Sequence, residues 1–147
     1  EVGVASFVPL ICRRCVSDAT RVTEARLDRW RDIIREAAEQ SRRGRLPSLH
    51  SPAAFEEACK LVQGLALLPW EGETALGLRS ALRKQGGKSQ KVSLFIGPEG
   101  GFDPAEVEFA RSCGVIPMTL GKRTLRAETA ALVAASVILY EAGDLGE

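Results

Sequence analysis

The sequence predicts an α/β fold: a mostly parallel sheet with helices on both faces. Three observations predict it. Short apolar runs of strand length alternate with segments of helical periodicity, and strands separated by helices pair in parallel. One such run, residues 92–96, passes straight into Gly97-Pro-Glu-Gly-Gly101, and that turn opens a helix. A strand, a backbone-rich turn and a helix N-terminus in that order is where open α/β sheets hold ligands. The last segment, residues 128–141, is Ala-rich and apolar on most faces, so it must be covered on most faces.

Taken in order, residues 6–11 read as the first strand. Residues 23–41 read as a helix, because Leu27, Trp30, Ile34, Ala37 and Ala38 recur at helical spacing, and Pro47 prevents its continuation. Ser51-Pro52 is an N-cap followed by proline, opening a helix through Ala58 and Leu61. Residues 65–68 form a short buried strand ending at Pro69. Residues 74–83 are helical, and residues 85–90 form a polar, exposed loop. After the strand over 92–96, Asp103 is the N-cap of the next helix, Pro104 its first helical position and Glu106 the acid three residues past the cap. That spacing is the capping box. This helix runs to about residue 113. Residues 115–120 form a strand in which Pro117 marks the start or a sheet edge, since proline donates nothing to a ladder. A subunit interface is one way to cover the apolar final helix.

At 147 residues the chain is read as one domain with room for a core. Its apolar fraction of 45% and charged fraction of 27% are ordinary for a globular protein. A net charge of +1 does not mark the whole molecule as a polyanion binder. Arg42-Arg43-Gly44-Arg45 is nevertheless a local basic cluster. It is a solvated helix end unless other evidence points to nucleic acid. No apolar run approaches the length of a membrane span, and no signal peptide is evident. The four cysteines suggest no disulfide framework. Cys59 and Cys113 fall on apolar helix positions, and Cys12-Arg-Arg-Cys15 lacks a second ligand pair. With His50 the only histidine, no metal site is expected. A reduced, cytoplasmic protein is the expectation.

Two glycine turns follow strands: residues 97–101 and Leu120-Gly-Lys-Arg123. Neither matches a nucleotide fingerprint. Pro98 removes a backbone donor and Glu99 would repel a phosphate, so the first turn suits a neutral or cationic ligand. In Thr124-Leu-Arg-Ala-Glu-Thr-Ala130, Arg126 and Glu128 precede the apolar helix, with Thr129 at its start. They are either an N-cap region with an acid favouring the helix dipole or a buried pair lining a site. No arrangement for covalent or metal catalysis is visible. Any chemistry must rest on positioning, backbone hydrogen bonds and a few charges.

Ile96-Gly-Pro-Glu-Gly-Gly-Phe102, Glu106 and Leu120-Gly-Lys-Arg-Thr-Leu-Arg-Ala-Glu-Thr-Ala-Ala131 closely resemble the signature of the bacterial ribosomal RNA small subunit methyltransferase E family. That family belongs to the SPOUT, or trefoil-knot, methyltransferases. Pro9, Arg14, Trp30, Glu36-Ala-Ala-Glu-Gln-Ser41, Arg43, Arg45 and Pro47 fit the same pattern. The resemblance runs from about Glu1 to about Ala142. It implies transfer of a methyl group from S-adenosylmethionine to N3 of one uridine in 16S ribosomal RNA. It implies a SPOUT-type fold with a deep C-terminal trefoil knot, an exception to the usual absence of knots. The cofactor would be held at Leu68, at Gly97, Pro98, Glu99 and Gly100, at Leu120 and Gly121, and at Leu125, Arg126 and Thr129. Arg14, Arg42, Arg43, Arg45 and Arg123 would meet RNA in the small ribosomal subunit. Arg126 would stabilise charge on the uracil carbonyls, and Glu128 would orient Arg126 or take the proton. The last helix would be buried in a homodimer. No counterpart of the family's N-terminal PUA-like RNA-binding domain is present, and Glu1-Val-Gly reads as the end of the methyltransferase domain's first helix. The expectation is thus an N-terminally incomplete methyltransferase domain over residues 1–147. Cys15 stands where the family usually has serine, and Ala127 where threonine is more frequent. The alternatives are a SPOUT enzyme acting on transfer RNA or another ribosomal site, a non-catalytic RNA-binding or assembly module, and a small-molecule sensor.

Overall fold

The computed structural model describes residues 1–15, 22–84 and 91–146; the loop expected over residues 85–90 lies outside the described residues. The elements in chain order are β1 (Ser6–Phe7), β2 (Leu10–Ile11), α1 (Glu24–Gln40), β3 (Ser48–Leu49), β4 (Ala53–Ala54), α2 (Phe55–Lys60), β5 (Leu65–Pro69), α3 (Leu78–Lys84), β6 (Val92–Leu94), α4 (Pro104–Ser112), β7 (Ile116–Met118) and α5 (Ala127–Glu141). Every strand pairing among the described residues is parallel, as the alternation predicts. The main sheet has the order β6-β5-β7, and two smaller pairs join β1 to β3 and β2 to β4.

β5 is the centre of the molecule. Side chains of a strand alternate between the two faces of its sheet, and the four leading residues of β5 are all buried. Leu65 and Leu67 pack into one cluster with Leu78 and Ala81 of α3, Met118 of β7, and Ala134 and Ile138 of α5. Ala66 and Leu68 pack into the other with Phe55 and Cys59 of α2, Phe95, Phe102, and Val107 and Ala110 of α4. The Phe55 ring lies 5.2 Å from that of Phe102 and 5.8 Å from that of Phe95. Two apolar faces on one strand are what a parallel sheet covered on both sides needs.

Several boundaries differ from expectation, and at β1, α2 and α3 tertiary hydrogen bonds claim the backbone. The strand expected over residues 6–11 is broken at Val8-Pro9 into β1 and β2, which pair with different partners. Pro9 has no N–H, and its carbonyl accepts from Ala53 N–H at 3.0 Å. Ser51-Pro52 does not cap a helix. Ala53–Ala54 is the strand β4, Ala54 is the N-cap of α2, and the helix starts at Phe55. α3 begins at Leu78 rather than residue 74. There Leu76 C=O accepts from Thr119 N–H at 2.8 Å and Leu78 N–H donates to Thr119 C=O at 3.1 Å, continuing the β7 side of the sheet. The 92–96 strand shortens to β6, with Phe95 N–H still donating to Leu67 C=O at 2.8 Å. Residues 115–120 contract to β7, and Pro117 occupies an edge strand. α1 ends at Gln40 on a Ser41 C-cap, well before Pro47. No helix among the described residues is long and apolar enough to cross a membrane.

Candidate functional site

The carboxyl ends of β5 and β7 lie side by side, because Trp70 N–H donates to Met118 C=O at 3.0 Å. A cavity of about 350 Å3 opens there. One wall is Pro69, Trp70, Glu71, Glu73 and Thr74, from the exit of β5. The other runs from Thr119 to Leu125, with Ala130 of α5 beside it. This is the crevice at strand carboxyl ends where parallel sheets bind ligands.

Local chemistry holds both walls. The Thr119 hydroxyl accepts from Gly121 N–H at 3.2 Å and donates to Gly121 C=O at 3.1 Å. Gly121 adopts φ +121°, open to glycine and costly for other residues. The Glu73 carboxylate accepts N–H groups from Ala75 at 2.9 Å and Leu76 at 3.3 Å, and pairs with Arg111 at 3.0 Å. The Ala75 N–H, then Arg111 and the Leu76 N–H, hold this carboxyl below its ordinary range. Trp70 folds over Gly72, where a Cβ would lie 2.5 Å from the indole ring. Acids (Glu71, Glu73) face the cavity from one wall and bases (Lys122, Arg123) from the other, with Trp70, Leu120 and Leu125 supplying apolar surface. Such a lining suits a ligand with apolar parts and charge of both signs.

The 97–101 turn stands beside this cavity rather than in its wall. Gly101 N–H donates to Pro98 C=O at 2.9 Å, and Gly101 has φ +69°. A Cβ there would lie 2.6 Å from Glu71 Oε1, so the turn touches the cavity through Glu71. Asp103 caps α4, its side chain accepting from Ala105 N–H at 2.9 Å, and Glu106 Oε2 accepts from Asp103 N–H at 2.9 Å. The expected capping box is therefore formed. The Ala105 N–H, with Arg14 and Arg13 nearby, holds the Asp103 carboxyl below its ordinary range.

Of the residues expected to meet a cofactor, Leu120, Gly121 and Leu125 line the cavity. Gly97, Pro98, Glu99 and Gly100 form the neighbouring turn. At the expected backbone stretch around Leu68-Pro69, the Leu68 side chain is fully buried in the core and Pro69 lines the cavity. Arg126 is the N-cap of α5, Glu128 lies in its first turn and Thr129 follows. Arg126 and Glu128 are both exposed and form no ion pair with each other, so the reading as a buried pair does not hold in this chain. Among the arginines, Arg123 lines the cavity. Arg14 donates to Gly100 C=O at 3.3 Å and Asp103 Oδ2 at 3.2 Å. Arg42 and Arg45 are exposed. Arg43 donates to the carbonyls of Val4 at 2.8 Å and Gly3 at 3.3 Å, tying the chain start to the end of α1.

Sequence reasoning did not single out Trp70, Glu71, Glu73 and Thr74. Their position just past the end of the buried strand was the available signal. All four cysteines are free thiols. Burial, first of all, pushes the Cys12 and Cys59 thiols up to about 12.

The family described as RNA methyltransferase domain matches residues 1–139. The Ribosomal RNA small subunit methyltransferase E of Synechocystis sp. is 36% identical over 140 residues, covering 94% of this chain and 45% of the relative. The protein of that name in Mycobacterium bovis is 34% identical over 145 residues, covering 94% of this chain and 54% of its own. The chain thus spans about half the length of the curated relatives it matches. Among solved structures, a putative methyltransferase from Legionella pneumophila in complex with the bound cofactor SAM superimposes with a TM-score of 0.83 at 33% identity. That match covers 95% of this chain and 56% of the other. A Ribosomal RNA small subunit methyltransferase E from Neisseria gonorrhoeae bound to S-adenosyl methionine gives 0.79 at 30% identity, covering 95% and 56%.

Proposed function

The chain belongs to the RNA methyltransferase domain family, and from that premise we propose that it transfers a methyl group from S-adenosylmethionine to N3 of a uridine in 16S ribosomal RNA. The observation that carries this reading is the cavity between the exit of β5 and residues 119–125, in a chain that aligns over 95% of its length with two S-adenosylmethionine-bound structures. The lining fits that cofactor, which combines an aromatic base, a carboxylate, an amine and a cationic sulfonium. Trp70, Leu120 and Leu125 offer apolar contact, Lys122 and Arg123 face a carboxylate, and Glu71 faces cations, while the Glu73 carboxylate is held by Arg111. On this reading the 97–101 turn is the second lip of the site, and Glu99 faces the cationic sulfonium rather than a phosphate.

When bound, the cofactor supplies an electrophilic methyl group that departs from sulfur in an in-line displacement. This chain's task is to hold the uridine N3 in line and manage its proton, since positioning alone supplies much of such a rate. Loss of the N3 proton places charge on the uracil carbonyl oxygens. The exposed Arg126 guanidinium stabilises that charge, and Glu128 orients Arg126 or accepts the proton. Exposure of both side chains leaves them open to a large substrate. Arg14, Arg42, Arg45 and Arg123 meet the RNA backbone. Arg43 is committed to its own chain's carbonyls and contributes charge only.

The reading includes a single catalytic domain over the chain, a trefoil knot through which residues 120–129 pass, cytoplasmic action on the small ribosomal subunit, and a homodimer. Leu132, Val133 and Tyr140 of α5 are 57%, 39% and 66% exposed, which supports a second copy packing on this helix.

Calorimetric titration with S-adenosylmethionine, followed by mapping of methylated uridine in 16S RNA treated with the protein, tests the proposal. Cofactor binding and one new 3-methyluridine are expected. Arg126→Ala should keep cofactor affinity within a few-fold while transfer falls by about 10²- to 10³-fold, the scale for one charge-stabilising donor. Wild-type turnover in Arg126→Ala would remove it from the mechanism, and absence of cofactor binding would reject the reading.

A further inference from the structure

Glu106 is the only buried charged side chain among the described residues, 1% exposed. Its two carboxylate oxygens do different jobs. Oε2 accepts from Asp103 N–H at 2.9 Å, at the start of α4. Oε1 accepts from Arg13 N–H at 2.8 Å, 93 residues upstream in the loop that leaves β2. A capping box needs only the first of these bonds. The second ties residues 12–15 to the first turn of α4, directly after the 97–101 turn. Arg14 reinforces the tie from outside through its bonds to Gly100 C=O and Asp103. The packing there leaves no slack: a Cβ on Gly100 would lie 3.2 Å from Arg14 Cβ and 3.3 Å from Arg14 C=O.

We propose that Glu106 is a positioning residue that couples the Arg13-Arg14 loop to the 97–101 turn, so that RNA engagement by that loop depends on a carboxylate touching neither RNA nor cofactor. The inference rests on the reading above, in which the turn meets the cofactor and Arg14 meets RNA. The bridge needs two acceptors on one rigid group. An amide has one oxygen and one NH2, so Glu106→Gln breaks the bridge in either orientation: one backbone N–H then faces another donor. Gln is nevertheless compatible with helix capping at this position, so α4 is retained.

Two measurements test this. In the wild-type chain, S-adenosylmethionine should slow hydrogen exchange in residues 12–15 as well as in 97–101. In Glu106→Gln the protection should remain at 97–101 and diminish at 12–15, where only the Arg14 bonds persist. In steady-state methyl transfer to small ribosomal subunits, KM for RNA should rise about tenfold in Glu106→Gln, the scale for loss of one charge-assisted hydrogen bond, while kcat and cofactor affinity stay within about twofold. A purely structural role predicts no such split. Wild-type cofactor binding without protection at 12–15 would overturn the coupling and leave the proposed function standing. Undiminished coupling or an unchanged RNA KM in Glu106→Gln would do the same. Absence of cofactor binding to the wild-type chain would overturn both. The wild-type exchange measurement decides the coupling even where the variant does not fold.

Discussion

At Gly101 two constraints converge. Its φ of +69° is in the left-handed region, and a Cβ would crowd Glu71 Oε1 at 2.6 Å. The carboxylate is the end of a flexible side chain and can move aside, so the backbone decides the cost. Gly101→Ala should lose about 1–3 kcal/mol of stability, read as a lower urea midpoint at unchanged slope. Titration of single groups adds a pH dependence. Glu73 and Asp103 have lower pKa values folded than unfolded. The unfolded chain therefore binds more protons in acid, and the stabilisation present above the ordinary carboxylate range is lost as pH falls through the depressed values. The melting temperature should drop as pH falls through and below the ordinary carboxylate range. Glu73→Gln should show a shallower drop, because its amide does not titrate. An identical pH profile in the two proteins would show that Glu73 carries none of the effect.

At the scale of elements, α4 was legible because its start is local chemistry. Asp103, Pro104 and Glu106 specify a cap within four residues, and the structure forms both capping bonds. Asp103→Ala should cost about 1 kcal/mol, the usual value of an N-cap, measured by chemical denaturation. It should also free Arg14 from its partner at 3.2 Å. α1 was legible from its helical spacing, which places Leu27 and Ala38 in the interior, while Thr23 proves to be its N-cap, accepting from Arg26 N–H. The starts of α2 and α3 were not. Ser51-Pro52 is a sound local start signal, but Ala53–Ala54 pairs with Leu10–Ile11. Thr74 to Gly77 carries no helix breaker strong enough to exclude helix, yet its backbone is bonded to Glu73 and Thr119. Local preference is worth tenths of a kcal/mol per residue. Tertiary hydrogen bonds of about 1 kcal/mol each override it.

At the scale of the molecule, β5 divides the core in two and α5 closes one side. α5 buries Ala134 and Ile138 while leaving Leu132, Val133 and Tyr140 open. If a second copy covers that face, Leu132→Asp should convert a dimer to a monomer in sedimentation, and the concentration dependence of the wild-type melting temperature should disappear. A variant that sediments like wild type would remove α5 from the interface.

The sequence by itself determined the α/β class, the parallel pairing, the helices on both faces and the glycine turn with its capped helix. Each follows from periodicity or from chemistry within a few residues. It also marked Leu120, Gly121 and Leu125, which the structure places in one cavity. Only the tertiary structure decided that Trp70, Glu71 and Glu73 form the opposite wall, that Arg43 holds the chain start, and that Glu106 reaches Arg13 across 93 residues. Contacts between residues distant in sequence leave no local periodicity to read. They depend on which strand exits the sheet puts side by side, and that is settled only when the two cores pack against β5.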